Sequence, residues 1–210
     1  GILTYPVTGL STSTVYYVRV RAISGSCVSA ASSTLTVSTL CNATSIPWTE
    51  NFDSYTTVGS GSATASTAIV PPCWINVPGS SGFAFTMHNA AGNTYNDPSS
   101  APNYLTVYYP TTSASVIWTP MVNLTAGVSY DFKFKWAGDS YSGWVGNVIY
   151  NSSPNTAGAT TLGSFVTSGT TTTNAYIPVS YTFIPSITGP YTIGMSVLSA
   201  TTAPYYMGFD

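Results

Sequence analysis

Apolar and polar residues alternate along most of this chain, which is the pattern of a β-strand with one buried face. The stretch "YDFKFKW" (130–136) shows it most regularly. One face carries its four aromatic residues, which are Tyr130, Phe132, Phe134 and Trp136. The other face carries Asp131, Lys133 and Lys135, and such a charged row opposes unwanted pairing at a sheet edge. This stretch is therefore predicted to be a strand whose aromatic face points into a core.

The same period of two recurs between clusters of Gly, Pro, Asn and Ser, and no stretch has helical periodicity. Many short strands with regular turn signals predict an all-β sandwich or jelly roll. The remaining strands are predicted at 15–22, 35–39, 82–87, 104–109, 115–118, 144–151, 162–167, 175–184, 191–198 and 205–210.

Composition excludes several classes of function. Aromatic residues make up 14% of the chain, which argues against disorder. Charged residues make up 5% and the net charge is −2, with Arg19, Arg21, Lys133 and Lys135 as the fixed cations. Four cations in two pairs cannot form the basic surface that nucleic acid requires. No apolar run reaches the roughly 18 residues of a transmembrane helix.

The chain has three cysteines, an odd number that leaves one thiol unpaired in an extracellular protein. A Cys41–Cys73 bridge would close a loop of about thirty residues and contribute roughly 3–4 kcal/mol. Loop closure favours this pairing over Cys27–Cys41, which remains the alternative. If Cys41 pairs with Cys73, the partner of Cys27 is expected outside this fragment.

Residues 1–40 resemble the C-terminal half of a fibronectin type III domain. The resemblance is carried by "GLSTSTVYYVRVRAISGSCVSAASSTLTVST". In this pattern Tyr16 opens an alternating strand and takes the place of the tyrosine corner, whose hydroxyl ties the start of the strand to nearby backbone. About forty residues cannot form a sandwich of seven strands, so we expect the front half of such a domain to precede this sequence.

Residues 41–210 resemble the MAM-like or cleaved-adhesin jelly rolls of large secreted proteins of Bacteroidota. Four stretches carry this resemblance, namely "CNATSIPWTENFDSY", "PPCW", "WTPMVNLTAGVSYDFKFKW" and "GPYTIGMSV" with the closing "YYMGFD". The resemblance implies a secreted or cell-surface location, export by the type IX route, neighbouring β-modules in the same chain, and adhesion to polysaccharide or host surfaces, including a role in gliding. It also implies that the last strand, at 205–210, runs on beyond Asp210.

A structural calcium ion is a further implication of the jelly-roll resemblance. First and last strands lie side by side in such folds, so Glu50 and Asp53 could approach Asp210. Two or three carboxylates with backbone carbonyls could supply the six to eight oxygens that calcium takes. The alternative is that these acids are solvated or cap turns.

Binding residues are predicted in the loop "WAGDSYSGWVGN" (136–147). Tyr141 and Trp144 beside Asp139 would offer aromatic rings and a carboxylate to the apolar faces and hydroxyls of a sugar. The alternative for Trp144 is that it begins the next strand and belongs to the core. A second loop that is rich in amides and aromatic residues, at 93–104, is similarly ambiguous.

Catalytic signals are weak. The chain has one histidine, His88, too few for a typical zinc site, and it lacks the GxSxG elbow of serine hydrolases. The prediction is therefore a non-enzymatic segment of a large secreted adhesin that binds polysaccharide. The alternatives are a structural spacer in an extracellular stalk or filament, and an accessory carbohydrate-binding module of an exported hydrolase.

Overall fold

The computed structural model describes residues 4–39, 41–89, 96–110, 112–167, 174–199 and 205–210. They form two compact units, 1–42 and 43–210. The predicted boundary lay after residue 40. The first three residues of the loop predicted at 93–104 lie outside the described residues. No helix among the described residues is long and apolar enough to cross a membrane.

The first unit is built from two antiparallel strand pairs. Strand β1 (Val15–Val18) pairs with β4 (Leu35–Ser38), and β2 (Ile23–Ser24) pairs with β3 (Cys27–Val28). At the start of β1 the hydroxyl of Tyr16 accepts a hydrogen bond of 2.8 Å from the backbone N–H of Ser11. This is the kind of bond that a tyrosine corner makes.

The second unit is a sandwich of antiparallel sheets. One sheet has the strand order β13-β10-β15-β7-β6, and the other has the order β12-β11-β14-β8-β5, with β9 paired to β14. The all-β, antiparallel prediction is confirmed. The strands of this unit are β5 (Ile75–Val77), β6 (Thr86–Asn89), β7 (Asn103–Tyr108), β8 (Ser115–Trp118), β9 (Val122–Leu124), β10 (Tyr130–Ala137), β11 (Trp144–Asn151), β12 (Thr160–Thr167), β13 (Ile177–Phe183), β14 (Gly189–Ser199) and β15 (Tyr206–Phe209).

The core lies between the two sheets and draws residues from both. The five-stranded sheet contributes Met87, Leu105, Val107, Trp136 and Phe209, and the six-stranded sheet contributes Ile117, Trp144, Val166, Met195 and Val197. In β10 the aromatic residues point inward, whereas Asp131, Lys133 and Lys135 are exposed, as predicted. Alternation therefore assigns the faces of this strand correctly, because one side of the sheet is buried.

The entry segment, residues 46–50, differs from the prediction. It forms no strand, and the chain around it pairs only through an isolated bridge between Thr44 and Val122. The neighbours of β15 are β10 and β7, so the first and last segments are not hydrogen-bonded side by side. Trp48 packs instead against the core of this unit, with its ring centroid 5.9 Å from that of Trp74. An apolar pair of rings thus holds the segment.

Candidate functional site

Five tyrosines gather at one end of the sandwich and form what we call the tyrosine cluster. They come from the ends of β7 and β15 and from the loop between β10 and β11. The pairing of β7 with β15 places Tyr206 opposite Tyr108, and the N–H of Tyr109 donates to the carbonyl of Tyr205 over 2.9 Å. The members of the cluster are Tyr108, Tyr109, Tyr141, Tyr205 and Tyr206.

The rings of the tyrosine cluster touch one another in a chain. Tyr108 and Tyr205 are stacked with an interplanar angle of 18° and centroids 6.3 Å apart. Tyr141 meets Tyr205 edge-on at 5.6 Å. Phe83 packs edge-on against Tyr108 at 4.6 Å. Tilted, stacked and edge-on contacts at these distances are favourable for aromatic rings, so each ring helps to hold the next.

Two members of the cluster present a large part of their rings to solvent. Tyr141 is 51% exposed and Tyr205 is 39% exposed. Tyr108, Tyr109 and Tyr206 are half-buried. An exposed ring supported from behind by other rings is a surface that can stack against the apolar face of a ligand, while the phenol hydroxyl offers a hydrogen bond.

Asp139 holds the loop of Tyr141 against the start of β15. One carboxylate oxygen accepts from the backbone N–H groups of both Tyr205 and Tyr206, the latter at 2.9 Å. The other oxygen accepts from the indole N–H of Trp144 at 3.2 Å. Hydrogen bonds to a charged acceptor are stronger than neutral ones. Asp139 therefore ties this loop to the backbone at the start of β15, while its direct contact with a sugar stays a prediction.

Trp144 corrects the prediction that it contacts a ligand. It is 0% exposed and lies at the start of β11 in the core between the sheets. An indole that is fully buried cannot stack on a sugar at the surface. The structure agrees with the alternative, in which Trp144 begins a strand and belongs to the core. The indole N–H of Trp144 donates a hydrogen bond to the carboxylate of Asp139.

Sequence reasoning missed four of the five tyrosines. Tyr108 and Tyr109 were placed at the end of one strand, and Tyr205 and Tyr206 at the start of another, without a role. A signal was present, because each pair is a Tyr-Tyr doublet beside a proline, in "VYYP" and "PYYM". The doublets become neighbours only through the β7–β15 pairing, which joins residues about a hundred positions apart.

The predicted calcium ligands each bond to protein donors. Glu50 accepts from the N–H of Phe52 and the hydroxyl of Tyr55, and Asp53 accepts from Asn51 and from the N–H of Asn103. The backbone N–H of Ser100 donates to Asp210 over 2.6 Å. Across the described ranges, no group of three His, Cys, Asp or Glu could hold a metal ion. Capping of nearby backbone, the alternative reading, fits these contacts.

Glu50 also changes the chemistry of its tyrosine neighbour. Burial, followed by the hydrogen bond and the negative charge of Glu50, together raise the pKa of Tyr55 to about 12. The Tyr55 hydroxyl therefore stays protonated as a donor to Glu50 well above neutral pH.

The cysteines are in two states. Cys41 and Cys73 are disulfide-bonded, and Cys27 is a free, exposed cysteine. The alternative Cys27–Cys41 pairing is therefore absent from this structure. A partner for Cys27 outside the fragment stays a prediction.

Comparison with known proteins finds solved structures that resemble this chain in fold and have low sequence identity to it. No protein-family model matches the sequence, and a search among curated proteins finds no match. Among solved structures, a cyclase from Fischerella sp. TAU in complex with 4-(1H-indol-3-yl)butan-2-one has 14% identity and a TM-score of 0.49, covering 69% of this chain and 84% of that chain. The K1 cleaved adhesin domain of Lys-gingipain from Porphyromonas gingivalis W83 has 15% identity and a TM-score of 0.47, covering 67% and 89%.

A third solved structure is TmCBM61 in complex with β-1,4-galactotriose. It has 14% identity and a TM-score of 0.45, covering 65% of this chain and 83% of that chain. At these identities and TM-scores the likenesses assign neither a family nor an activity to this chain.

Proposed function

We propose that this chain is a non-enzymatic segment of a secreted, cell-surface adhesin, and that its tyrosine cluster binds polysaccharide. The observation that carries the proposal is the exposure of Tyr141 and Tyr205 at one end of the sandwich, with Asp139 fixing the loop of one to the strand of the other. Export by the type IX route, a bacterium of the Bacteroidota as the source and neighbouring β-modules as partners belong to the same proposal.

The chemistry of a sugar fits such a surface. A pyranose ring has a face of C–H groups that packs on an aromatic ring, and a rim of hydroxyls that can bond to phenol hydroxyls and backbone groups. Tyrosine supplies both kinds of contact with little loss of side-chain entropy, since it has two rotatable χ angles. Tyr141 and Tyr205 meet at right angles, so a sugar on one ring would contact the edge of the other.

The residues of this surface favour binding over catalysis. Glycoside hydrolysis needs two carboxylates that flank the scissile bond, whereas the carboxylate of Asp139 is already occupied by three N–H donors. A single site that binds polysaccharide through a few stacking contacts has modest affinity. Several copies of such a module in one adhesin would raise the total strength through multivalency.

Replacing either exposed tyrosine tests this function. We expect Tyr141→Ala and Tyr205→Ala each to weaken binding to a responsive polysaccharide by about tenfold, which corresponds to roughly 1.4 kcal/mol of lost stacking. Binding is measured by affinity electrophoresis and calorimetry against xylan, mixed-linkage β-glucan, galactan and mannan. The melting temperature of each variant is measured alongside.

Tyr17→Ala is the matched control, because Tyr17 is a 73% exposed tyrosine of the first unit and lies outside the cluster. It should leave binding unchanged. If the parent chain binds none of the polysaccharides, or if Tyr17→Ala lowers binding as much as Tyr141→Ala does, the proposed function is wrong. A folded chain without any binding would favour the structural spacer.

Calcium binding by Glu50, Asp53 and Asp210 stays a prediction of its own. It is checked by the melting temperature of the chain in calcium and in chelator. Binding to the folded state stabilises by mass action, so a site of useful affinity should raise the melting temperature by several degrees in millimolar calcium. Equal melting temperatures in the two buffers would contradict it. Glu50→Gln and Asp53→Asn should abolish the rise if these residues are ligands.

A further inference from the structure

A cavity of about 410 Å³ lies at the end of the sandwich opposite the tyrosine cluster. Strand β14 joins the two ends. It begins at Gly189, which lines the cavity, and it ends at Ser199, whose N–H donates to the carbonyl of Pro110, the residue after Tyr109. Each strand residue rises about 3.3 Å, so this length of strand keeps the two ends roughly 30 Å apart. The cavity is therefore separate from the site already described.

The cavity has an aromatic floor made of two tyrosines. Tyr150 comes from the end of β11 and Tyr191 from the start of β14, and their ring centroids are 5.8 Å apart with an interplanar angle of 44°. Tyr150 also packs on the buried Phe183, with centroids 5.0 Å apart. Both tyrosines are half-buried and line the cavity. Each ring is thus supported by the core and keeps an accessible part that a ligand can contact.

Two loops form the walls of the cavity, and side chains hold both of them. In the β11–β12 loop the amide group of Asn151 donates to the carbonyls of Asn155 and Ala157, at 2.8 and 3.2 Å. In the loop before β14 the hydroxyl of Tyr191 donates to the carbonyl of Ile187 over 2.9 Å. A ligand would therefore meet walls that are already ordered, and binding would cost little in loop entropy.

The lining favours a neutral ligand that is rich in hydroxyls. None of the described residues that line the cavity is Asp, Glu, Lys, Arg or His, so no side chain there would offset the charge of an ionic ligand. The hydroxyls of Ser152, Thr160 and Ser186 lie in this lining, and no hydrogen bond engages them within the part of the chain that the structure describes. Aromatic rings beside free hydroxyls offer the contacts that the C–H face and the hydroxyl rim of a sugar require.

We propose that this cavity, which we call the far site, is a second binding site for neutral polysaccharide, and that one module links two polysaccharide chains. The inference rests on the proposed function, since both ends would take the same class of ligand. Tyr150 and Tyr191 would stack against a sugar ring, while the free hydroxyls of Ser152, Thr160 and Ser186 would bond to its hydroxyls. A module with a site at each end would cross-link polysaccharide chains as well as attach to them.

Gly189→Ile tests the far site without removing a core residue. Gly189 lies two positions before Tyr191 in β14, so its side chain would point to the same face as that ring. A Cβ at this position meets no atom within 4 Å, and the φ of Gly189 lies outside the left-handed region. Isoleucine should therefore fill part of the cavity, and the melting temperature should not fall. Ser180→Ile is the matched control, because it adds the same side chain at an exposed position of β13.

Calorimetry counts the bound ligands, with hexasaccharides prepared from xylan, mixed-linkage β-glucan, galactan and mannan. We expect the parent and Ser180→Ile to bind two molecules of a responsive hexasaccharide per chain. Gly189→Ile and the double variant Tyr141→Ala/Tyr205→Ala should each bind one, and the combination of the three substitutions should bind none. Light scattering from a mixture with the matching long polysaccharide should rise with the parent and with Ser180→Ile. With either variant that keeps one site it should rise about tenfold less.

The outcomes separate the far site from the proposed function. One hexasaccharide per parent chain, or two still bound by Gly189→Ile, would overturn the far site. If the double tyrosine variant loses all binding while Gly189→Ile binds as the parent does, the far site is wrong and the proposed function stands. If only Gly189→Ile loses binding, the far site stands and the tyrosine cluster is not the binding site. A parent that binds none of the hexasaccharides or polysaccharides would overturn both.

Discussion

Trp144→Ala is expected to lower the free energy of unfolding by about 3–5 kcal/mol, the cost of removing a large aromatic side chain from a core. Trp144 is fully buried between the two sheets, so its removal leaves a cavity that the neighbouring strands cannot fill. The indole N–H that satisfies Asp139 is lost as well. Chemical denaturation followed by tyrosine fluorescence and circular dichroism measures the change.

Two variants separate packing from ligand contact at this site. Trp144→Phe keeps much of the buried volume and removes the N–H donor, and should cost clearly less than the alanine variant. Tyr141→Ala should change stability little, because half of this side chain is exposed. If Trp144→Ala left stability unchanged while abolishing polysaccharide binding, the core position of Trp144 would be wrong. Such a result would instead support the prediction that Trp144 contacts the ligand.

Asp139→Ala is expected to lower the free energy of unfolding by about 2–3 kcal/mol and to reduce polysaccharide binding by tenfold or more. Its carboxylate accepts three N–H groups, and a hydrogen bond to a charged group contributes about 1.5–3 kcal/mol when its partners are kept from water. Without it, the loop of Tyr141 is no longer tied to the backbone of Tyr205. The two exposed rings would then lose their fixed relation, and part of the binding energy would be spent on ordering them.

Asp131→Ala is the matched control, since Asp131 is an exposed carboxylate on β10 whose contacts are with Thr182 and Lys133. Exposed pairs of this kind contribute little to stability because solvent screens them, and binding should be unaffected. Asp139→Asn keeps the shape but places an amide N–H₂ where one of the acceptors stood. It should therefore resemble the alanine variant more than the parent, and parental binding by Asp139→Asn would contradict the positioning role.

Local pattern predicted most of the strands. Strands β8 and β11 have the bounds expected from "SVIW" and "WVGNVIYN", and β10 has the expected buried face. Four short strands, β2, β3, β5 and β9, were missed, because two or three residues are too few to show a period of two. The strand predicted at 82–87 is displaced to Thr86–Asn89. Its first half forms only an isolated β-bridge, between Phe83 and Thr64, which no local pattern indicates.

The candidate site was only partly predictable. Tyr141 and Asp139 were identified because an aromatic residue and a carboxylate stand close together in one loop. Because the two residues are close in sequence, both were predicted to contact a ligand. In the structure the carboxylate of Asp139 accepts hydrogen bonds from the backbone N–H groups of Tyr205 and Tyr206. The entry acids show the same limit. Glu50 caps its own turn, whereas Asp53 also accepts from the distant Asn103. The entry segment does not form the strand from which an approach to Asp210 was expected, although Glu50 and Asp210 line one cavity.

The sequence by itself determined the class of fold, the two faces of β10 and the preferred cysteine pairing, since each depends on residue type and on spacing along the chain. Only the tertiary structure decided that four further tyrosines join Tyr141, that Trp144 lies in the core, and that Asp139 bonds to the backbone of Tyr205 and Tyr206. The physical reason is that these features arise from pairings between distant strands. Such pairings are selected by the packing of the whole sandwich, and no short stretch of the chain contains them.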